Sequence, residues 1–175
     1  MAAVAFLRAM NVGGRRLTNQ TLAAAFHALG FPEATPYQAS GNVILREATA
    51  DAATAKHIES GLATHLGYDV PTFLRSAEQI TRIAAESPFR GQFGPEGGKP
   101  QVILLRFAAD PPLAALERLR QPNDQWIVDG NELHWLPAGG LSQSELRFSE
   151  LDNVIGQNTV RTLGTIQRLA KRLAD

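Results

Sequence analysis

The chain has 175 residues, 44% of them hydrophobic and 19% charged, so it can bury a core of its own and is not an intrinsically disordered sequence. Its 17 basic residues balance its 17 acidic ones, which argues against a protein whose main work is bulk binding to nucleic acid or to an anionic membrane. There is no cysteine, which excludes disulfides, thiolate metal sites, iron–sulfur clusters and cysteine nucleophiles.

Residues 3–10, AVAFLRAM, are short, apolar and bounded by Asn11-Val12-Gly13-Gly14, and they predict a strand. The same start lacks a basic region and a small-residue cleavage site, so it reads as a strand and not as a signal peptide; no stretch approaches about 18 apolar residues, and a cytoplasmic setting is expected. Thr18 then caps a helix with Leu22, Phe26 and Leu29 on one face, stopped by Gly30 and Pro32. Residues 35–39 and 42–46 predict a hairpin around Ser40-Gly41. Asp51 opens a second helix carrying Ile58, Leu62 and Leu66, which Gly67 ends, and residues 70–75 form a strand that Pro71 assigns to a sheet edge. The resulting order β-α-β-β-α-β is that of a ferredoxin-like, split βαβ unit.

Ser76 and Gln79 form a capping box for a connecting helix with Ile80 and Ile83. Residues 87–100 are rich in glycine and proline and predict a loop or hinge. The order then restarts. Residues 101–107 predict a strand, Pro111-Pro112 precede a helix with Leu113, Leu116 and Leu119, and residues 125–128 and 132–136 predict a hairpin on the Asp129-Gly130 turn pair. Ser142 and Glu145 suggest another capping box, and a final helix from about Arg161 to Leu173 places Leu163, Ile166, Ala170 and Leu173 together. No strand is evident between the hairpin and that helix. The expected architecture is therefore α+β: two ferredoxin-like (split βαβ) subdomains, the second incomplete or modified, plus a C-terminal helix. The expected domains are residues 1–86 with the connecting helix, a hinge at 87–100, and residues 101–175.

In the split βαβ order the first two strands run parallel and end at one edge of the sheet. That brings the loop Asn11–Arg16, the turn Ser40–Asn42 and the approach Gly67–Asp69 together. Gly13 and Gly14 let backbone N–H groups approach a ligand, Arg15 and Arg16 supply positive charge, and Asn11, Ser40 and Asn42 offer hydrogen bonds, with Gly41 in the turn. A solvated strand-to-helix turn is the plain structural alternative. Arg8 stands out in an apolar strand; alternation puts it with Phe6 and Met10, where it either meets a ligand or pairs structurally. None of His27, His57, His65 and His134 has metal or triad spacing, His134 reads as surface or half-buried, and no close carboxylate pair suggests acid–base work. Trp126 and Trp135 read as packing residues, with base stacking the sharper alternative, and the alternating aromatic and basic pattern of RNA-binding sheets is absent.

The segments FLRAMNVGG (6–14) and YQASGNVIL (37–45), with Ser87-Pro88-Phe89 and the run from Thr159 to Thr165, resemble the bacterial domain-of-unknown-function family numbered 1697. Arg8, Asn11, Gly13, Gly14, Ser40, Gly41, Asn42, Arg161 and Thr165 match the family pattern. Ala9-Met10 depart from it, as do Thr162, Leu163 and Gly164, which puts in doubt any ligand role at those last three positions. The resemblance implies two ferredoxin-like subdomains and no established activity.

The site expected on these grounds binds a small anionic or phosphorylated ligand, with Arg8 and Arg161 as counter-charges. One alternative is an enzyme of phosphoryl or acyl chemistry at the same place, for which no general base is available. Another is a weak nucleic-acid or protein interaction module, which the neutral charge disfavours. No cofactor, metal or membrane association is expected, and the oligomeric state is left open. The neutrality is itself an average. Residues 107–155 carry three basic and eight acidic residues, while 156–175 carry four basic and one acidic.

Overall fold

Strand β1 (Ala3–Leu7) is buried along its whole length. It lies between β3 (Asn42–Leu45) and β4 (Thr72–Ser76), antiparallel to both. The structure, a computed structural model, describes residues 1–10, 13–106 and 113–175. These fall into two compact units, Met1–Ile80 with Leu173–Asp175, and Thr81–Arg172. The dividing point lies inside helix α3 (Ala77–Glu86), so residues 87–100 belong wholly to the second unit.

In the first unit, α1 (Asn19–Ala28) begins where Thr18 Oγ1 accepts from the Thr21 N–H at 3.1 Å. Helix α2 (Ala52–Leu66) begins where Asp51 accepts from the Thr54 N–H at 2.7 Å, and Gly67 ends it in the left-handed region. Both caps work by supplying an acceptor to a first-turn N–H that has no helical partner. Strand β2 (Thr35–Tyr37) pairs antiparallel with β3 and ends early, because Gln38 takes φ 58° and leaves the extended conformation. The sheet order is β2-β3-β1-β4, with β4 at an edge, where Pro71 is tolerated just before it. Ala3, Ala5 and Leu7 point into a core with Leu22, Phe26, Val43, Leu45, Ile58 and Leu62.

Strand β1 stops at Leu7 rather than Met10. Ala9 takes φ 60°, which breaks the two-residue alternation. Met10 therefore joins Ala5 and Leu7 in the core instead of sharing a face with Phe6 and Arg8.

The second unit repeats the order in full. Its elements are β5 (Gln101–Leu105), α4 (Leu113–Leu119), β6 (Gln125–Asp129), β7 (Glu132–Leu136), α5 (Phe148–Ile155) and β8 (Asn158–Thr162). Helix α6 (Leu163–Ala174) follows, and the sheet order is β6-β7-β5-β8. Strand β8 corrects the expectation of an incomplete copy. It reads NTVRT, with one aliphatic side chain, so no apolar run announces it; its place beside β5 makes it a strand. Arg161 accordingly sits in β8 and not in the last helix. The modification in this copy is a short 3-10 turn at Leu141–Gln143, which takes up Ser142, so the expected Ser142–Glu145 box does not form and α5 starts at Phe148. The hairpin turn is Gly130-Asn131, with Asp129 still paired to Glu132 and Gly130 at φ 59°. Residues Phe107–Pro112, where the strand end and the helix-opening prolines are expected, lie outside the described residues.

The two units agree in hydrogen bonding as well as in order. The Leu7 N–H donates to Gly41 O at 2.7 Å, and the Leu105 N–H to Asn131 O at 2.8 Å. The Ala77 N–H donates to Ala2 O, and the Leu163 N–H to Pro100 O, both at 2.9 Å. Ser76 Oγ caps the Gln79 N–H, and Thr162 Oγ1 caps the Thr165 N–H, both at 3.1 Å. Arg75 donates to Leu74 O, and Arg161 to Val160 O, both at 2.8 Å. The Ser76 box is reciprocal, since Gln79 Oε1 accepts from the Ser76 N–H at 2.8 Å. Ser76→Ala is expected to cost about 1 kcal/mol, read as a lower urea midpoint at unchanged slope.

Candidate functional site

Because β3 is antiparallel to both β1 and β2, those two strands are parallel and end at one edge. The chain segments after β1, in the β2–β3 turn and before β4 meet there. Gly41 O receives the Leu7 N–H, Pro71 O receives the Arg8 N–H at 3.0 Å, and Met10 O receives the Tyr68 hydroxyl at 3.1 Å. The Arg15 guanidinium lies over the Tyr68 ring, 4.0 Å from its centroid.

Gly13 and Gly14 take φ 67° and 80°, and a side chain added at either would meet nothing within 4 Å. Their backbone is thus open to an approaching group. Arg15 and Arg16 are exposed, while Arg8 is half-buried. Gly41 is different: at φ 74° it is pressed against β1, where a Cβ would come within 2.9 Å of Leu7 O. Its role is to let the turn touch the strand. Asn42 is fully buried, and its Nδ2 donates to Ser40 Oγ at 2.8 Å and to Tyr37 O at 3.3 Å. It shapes the turn from inside. Thr18 already serves the N-terminus of α1, so positive charge at this edge comes mainly from the arginines. Asn11 lies outside the described residues.

Arg161 and Thr165 belong to the second unit. Arg161 donates to Thr159 Oγ1 and Val160 O, both at 2.8 Å, and burial pushes its guanidinium down to about 10, so it remains charged near neutral pH. Thr165 Oγ1 lies 3.0 Å from Thr162 Oγ1 and accepts from Arg168 at 3.2 Å. Thr162 and Thr165 thus form a local cap at the start of α6.

Tyr68 lies in the Gly67–Asp69 approach that the sequence brings to this edge, but neither it nor Arg75 is among the expected ligand-binding residues. The signal for Arg75 is present as an internal echo: Leu74-Arg75-Ser76 followed by Gln79-Ile80 parallels Val160-Arg161-Thr162 followed by Thr165-Ile166. His134 is buried, contrary to its expected exposure, because β7 lies inside the sheet between β6 and β5. Its Nδ1 lies 3.3 Å from Ser87 Oγ, and burial pushes its pKa down. Glu132, on the same strand, is met by Arg82 at 3.5 Å. Trp135 is fully buried and donates to Asp124 at 2.8 Å, so its ring is part of the core and offers no stacking surface. Among the described residues no helix is long and apolar enough to cross a membrane, and no three of His, Asp and Glu form a metal-binding group.

The model of the family described as "Protein of unknown function (DUF1697)" matches residues 1–134, and the chain belongs to that family. Among solved structures it is similar to the conserved bacterial protein SP0830 from Streptococcus pneumoniae, with a TM-score of 0.72 at 17% identity over 98% of each chain. That likeness is one of fold. No curated protein matches the sequence.

Proposed function

We propose that this protein binds a small anionic or phosphorylated ligand at the edge where β1 ends, in a cytoplasmic setting. What supports the reading is a chain of contacts in the first unit: Arg15, next to the exposed Gly13-Gly14, lies over Tyr68, Tyr68 bonds Met10 O, and Gly41 of the β2–β3 turn is pressed against Leu7 and Met10. Exposed guanidinium groups beside accessible amides suit an oxyanion, since charge-assisted hydrogen bonds to phosphate oxygens are among the stronger ones. Arg8, fixed through its backbone to Pro71, adds positive charge at the same edge. The proposal rests on first-unit residues; a part for Arg161 and Thr165 is not required by it.

Thermal unfolding with phosphate, pyrophosphate and nucleotides tests the reading. A ligand at about 100 times its Kd contributes about 2.7 kcal/mol, which is roughly 5–10 °C in Tm for a chain of this size. Arg15→Ala combined with Arg16→Ala is expected to abolish the shift while leaving the unliganded Tm within about 2 °C. If none of these anions moves the Tm of the unaltered protein, the proposal fails.

A further inference from the structure

Tyr68 holds both described ends of the segment that follows β1. Its hydroxyl donates to the carbonyl of Met10, on one side, and its ring carries the guanidinium of Arg15, on the other. Tyr68 comes directly after Gly67, whose φ of 80° ends α2 and turns the chain toward this edge. The ring is itself steadied, because it packs half-buried against the first-unit core. Arg16, the neighbouring cation, is exposed, and among the described residues no ring or carboxylate is paired with it.

We infer that Tyr68 is the positioning residue of the anion site and that it makes Arg15, not Arg16, the cation that selects the ligand. The class selected is a small molecule ending in a phosphoryl group. This rests on the function proposed above. A guanidinium seated on an aromatic face has lost much of its rotameric freedom before any ligand arrives, and its N–H groups away from the ring remain available as a planar fork. A fork matches two oxygens of one phosphoryl group at once, and a lysine ammonium reproduces neither the stacking nor the two-point contact. The open backbone at Gly13 and Gly14, immediately before Arg15, supplies amides to the remaining oxygens. Arg16 contributes charge without geometry.

Calorimetric titration of the full chain with inorganic phosphate and with pyrophosphate, at constant ionic strength, tests this on four variants. Arg15→Lys and Tyr68→Leu are expected to weaken binding at least tenfold. Arg16→Lys is expected to weaken it less than threefold. Tyr68→Phe, which keeps the ring and loses the hydroxyl, is expected to stay within threefold. A second readout needs no ligand: the Arg15 Nε–H proton resonance is expected to be shifted upfield by the ring in the unaltered protein and in Tyr68→Phe, and to move downfield in Tyr68→Leu. Equal losses in Arg15→Lys and Arg16→Lys, or unchanged binding in Tyr68→Leu, overturn this inference and leave the proposed function standing. Affinity for succinate equal to that for pyrophosphate overturns the phosphoryl assignment. If the unaltered protein binds neither phosphate nor pyrophosphate, both readings fall. Should Tyr68→Leu not fold, the comparison of Arg15→Lys with Arg16→Lys decides.

Discussion

Gly98→Ala is expected to destabilise the second unit by about 3 kcal/mol, a large effect for one methyl group. A Cβ at this position would stand 1.9 Å from Pro137 O, 2.7 Å from Pro137 C and 2.8 Å from Gly139 O. All three are backbone atoms, and none can rotate aside as a side-chain terminus does. The segment 94–98 must therefore lift away from 137–139. Lifting breaks the bonds that tie the two together: the Glu96 N–H to Ala138 O at 2.8 Å and the Gly98 N–H to Ala138 O at 3.1 Å. Each such bond contributes about 1 kcal/mol net. Gly97→Ala is the matched control. A side chain there meets nothing within 4 Å, and only the φ of 82° opposes it, at about 1 kcal/mol. Urea unfolding of the two variants side by side checks the difference. If Gly98→Ala unfolds within 0.5 kcal/mol (about a third of a tenfold step in the equilibrium constant) of Gly97→Ala, the close backbone approach is not what holds this segment.

Asp124→Ala is expected to cost about 3 kcal/mol. Asp124 is buried, and its two oxygens serve different partners. Oδ2 accepts from the Trp135 indole N–H and Oδ1 from the Ala138 N–H, both at 2.8 Å. Truncation leaves a buried indole donor and a backbone donor with no acceptor, and hydrogen bonds to a charged group are worth about 1.5–3 kcal/mol. Trp135 is fully buried in the second-unit core beside Ile103, Leu105 and Leu133, so the vacated space lies against tightly packed side chains. Asp124→Asn keeps one acceptor and turns an NH₂ group toward the other donor; its expected cost is roughly half. Chemical unfolding followed by tryptophan fluorescence measures both. Equal stability of Asp124→Ala and the unaltered protein would mean that water serves both donors.

The two sites share one place: Ala138 is held by Asp124 through its N–H and by Glu96 and Gly98 through its oxygen. Their effects are therefore expected to be less than additive in a double variant, since lifting the 94–98 segment and releasing residues 137–138, just after β7, undo the same local structure.

The elements legible in the sequence are those whose signals are local. Thr18, Asp51 and Ser76 each bond a backbone N–H three residues on, and Gly67 ends its helix within the same turn. Such signals need no knowledge of the rest of the chain. The shared edge of the first unit was legible too, because the order of elements alone makes β1 and β2 parallel. What was illegible depends on partners far away in sequence or on backbone that composition does not mark. β8 is a strand because β5 lies beside it, and its own residues are mostly polar. Ala9 at φ 60° carries no residue-type signal, so alternation alone gives neither the end of β1 nor the side on which Met10 lies. Ser142 and Glu145 have the spacing of a cap, but the chain closes a 3-10 turn there first. The contact of Arg15 with Tyr68 spans more than fifty positions and has no spacing rule.

The correspondence of hydrogen bonds between the units pairs the strand positions of one copy with those of the other. Arg75 and Arg161, opposite Val4 and Val102, belong to what both copies keep, and so do the caps at Ser76 and Thr162. Such shared features record what the scaffold demands of any sequence that adopts it. Asn42 and Ile44 stand where Glu132 and His134 stand in the other copy. The run Gly13-Gly14-Arg15-Arg16 follows one first strand, whereas the sequence after the other has two prolines, Pro111 and Pro112, and no pair of adjacent basic residues. A molecule built this way carries its own comparison: the glycine and arginine run after β1 and the buried Glu132 and His134 are places where two copies of one scaffold differ in chemistry while the scaffold stays the same.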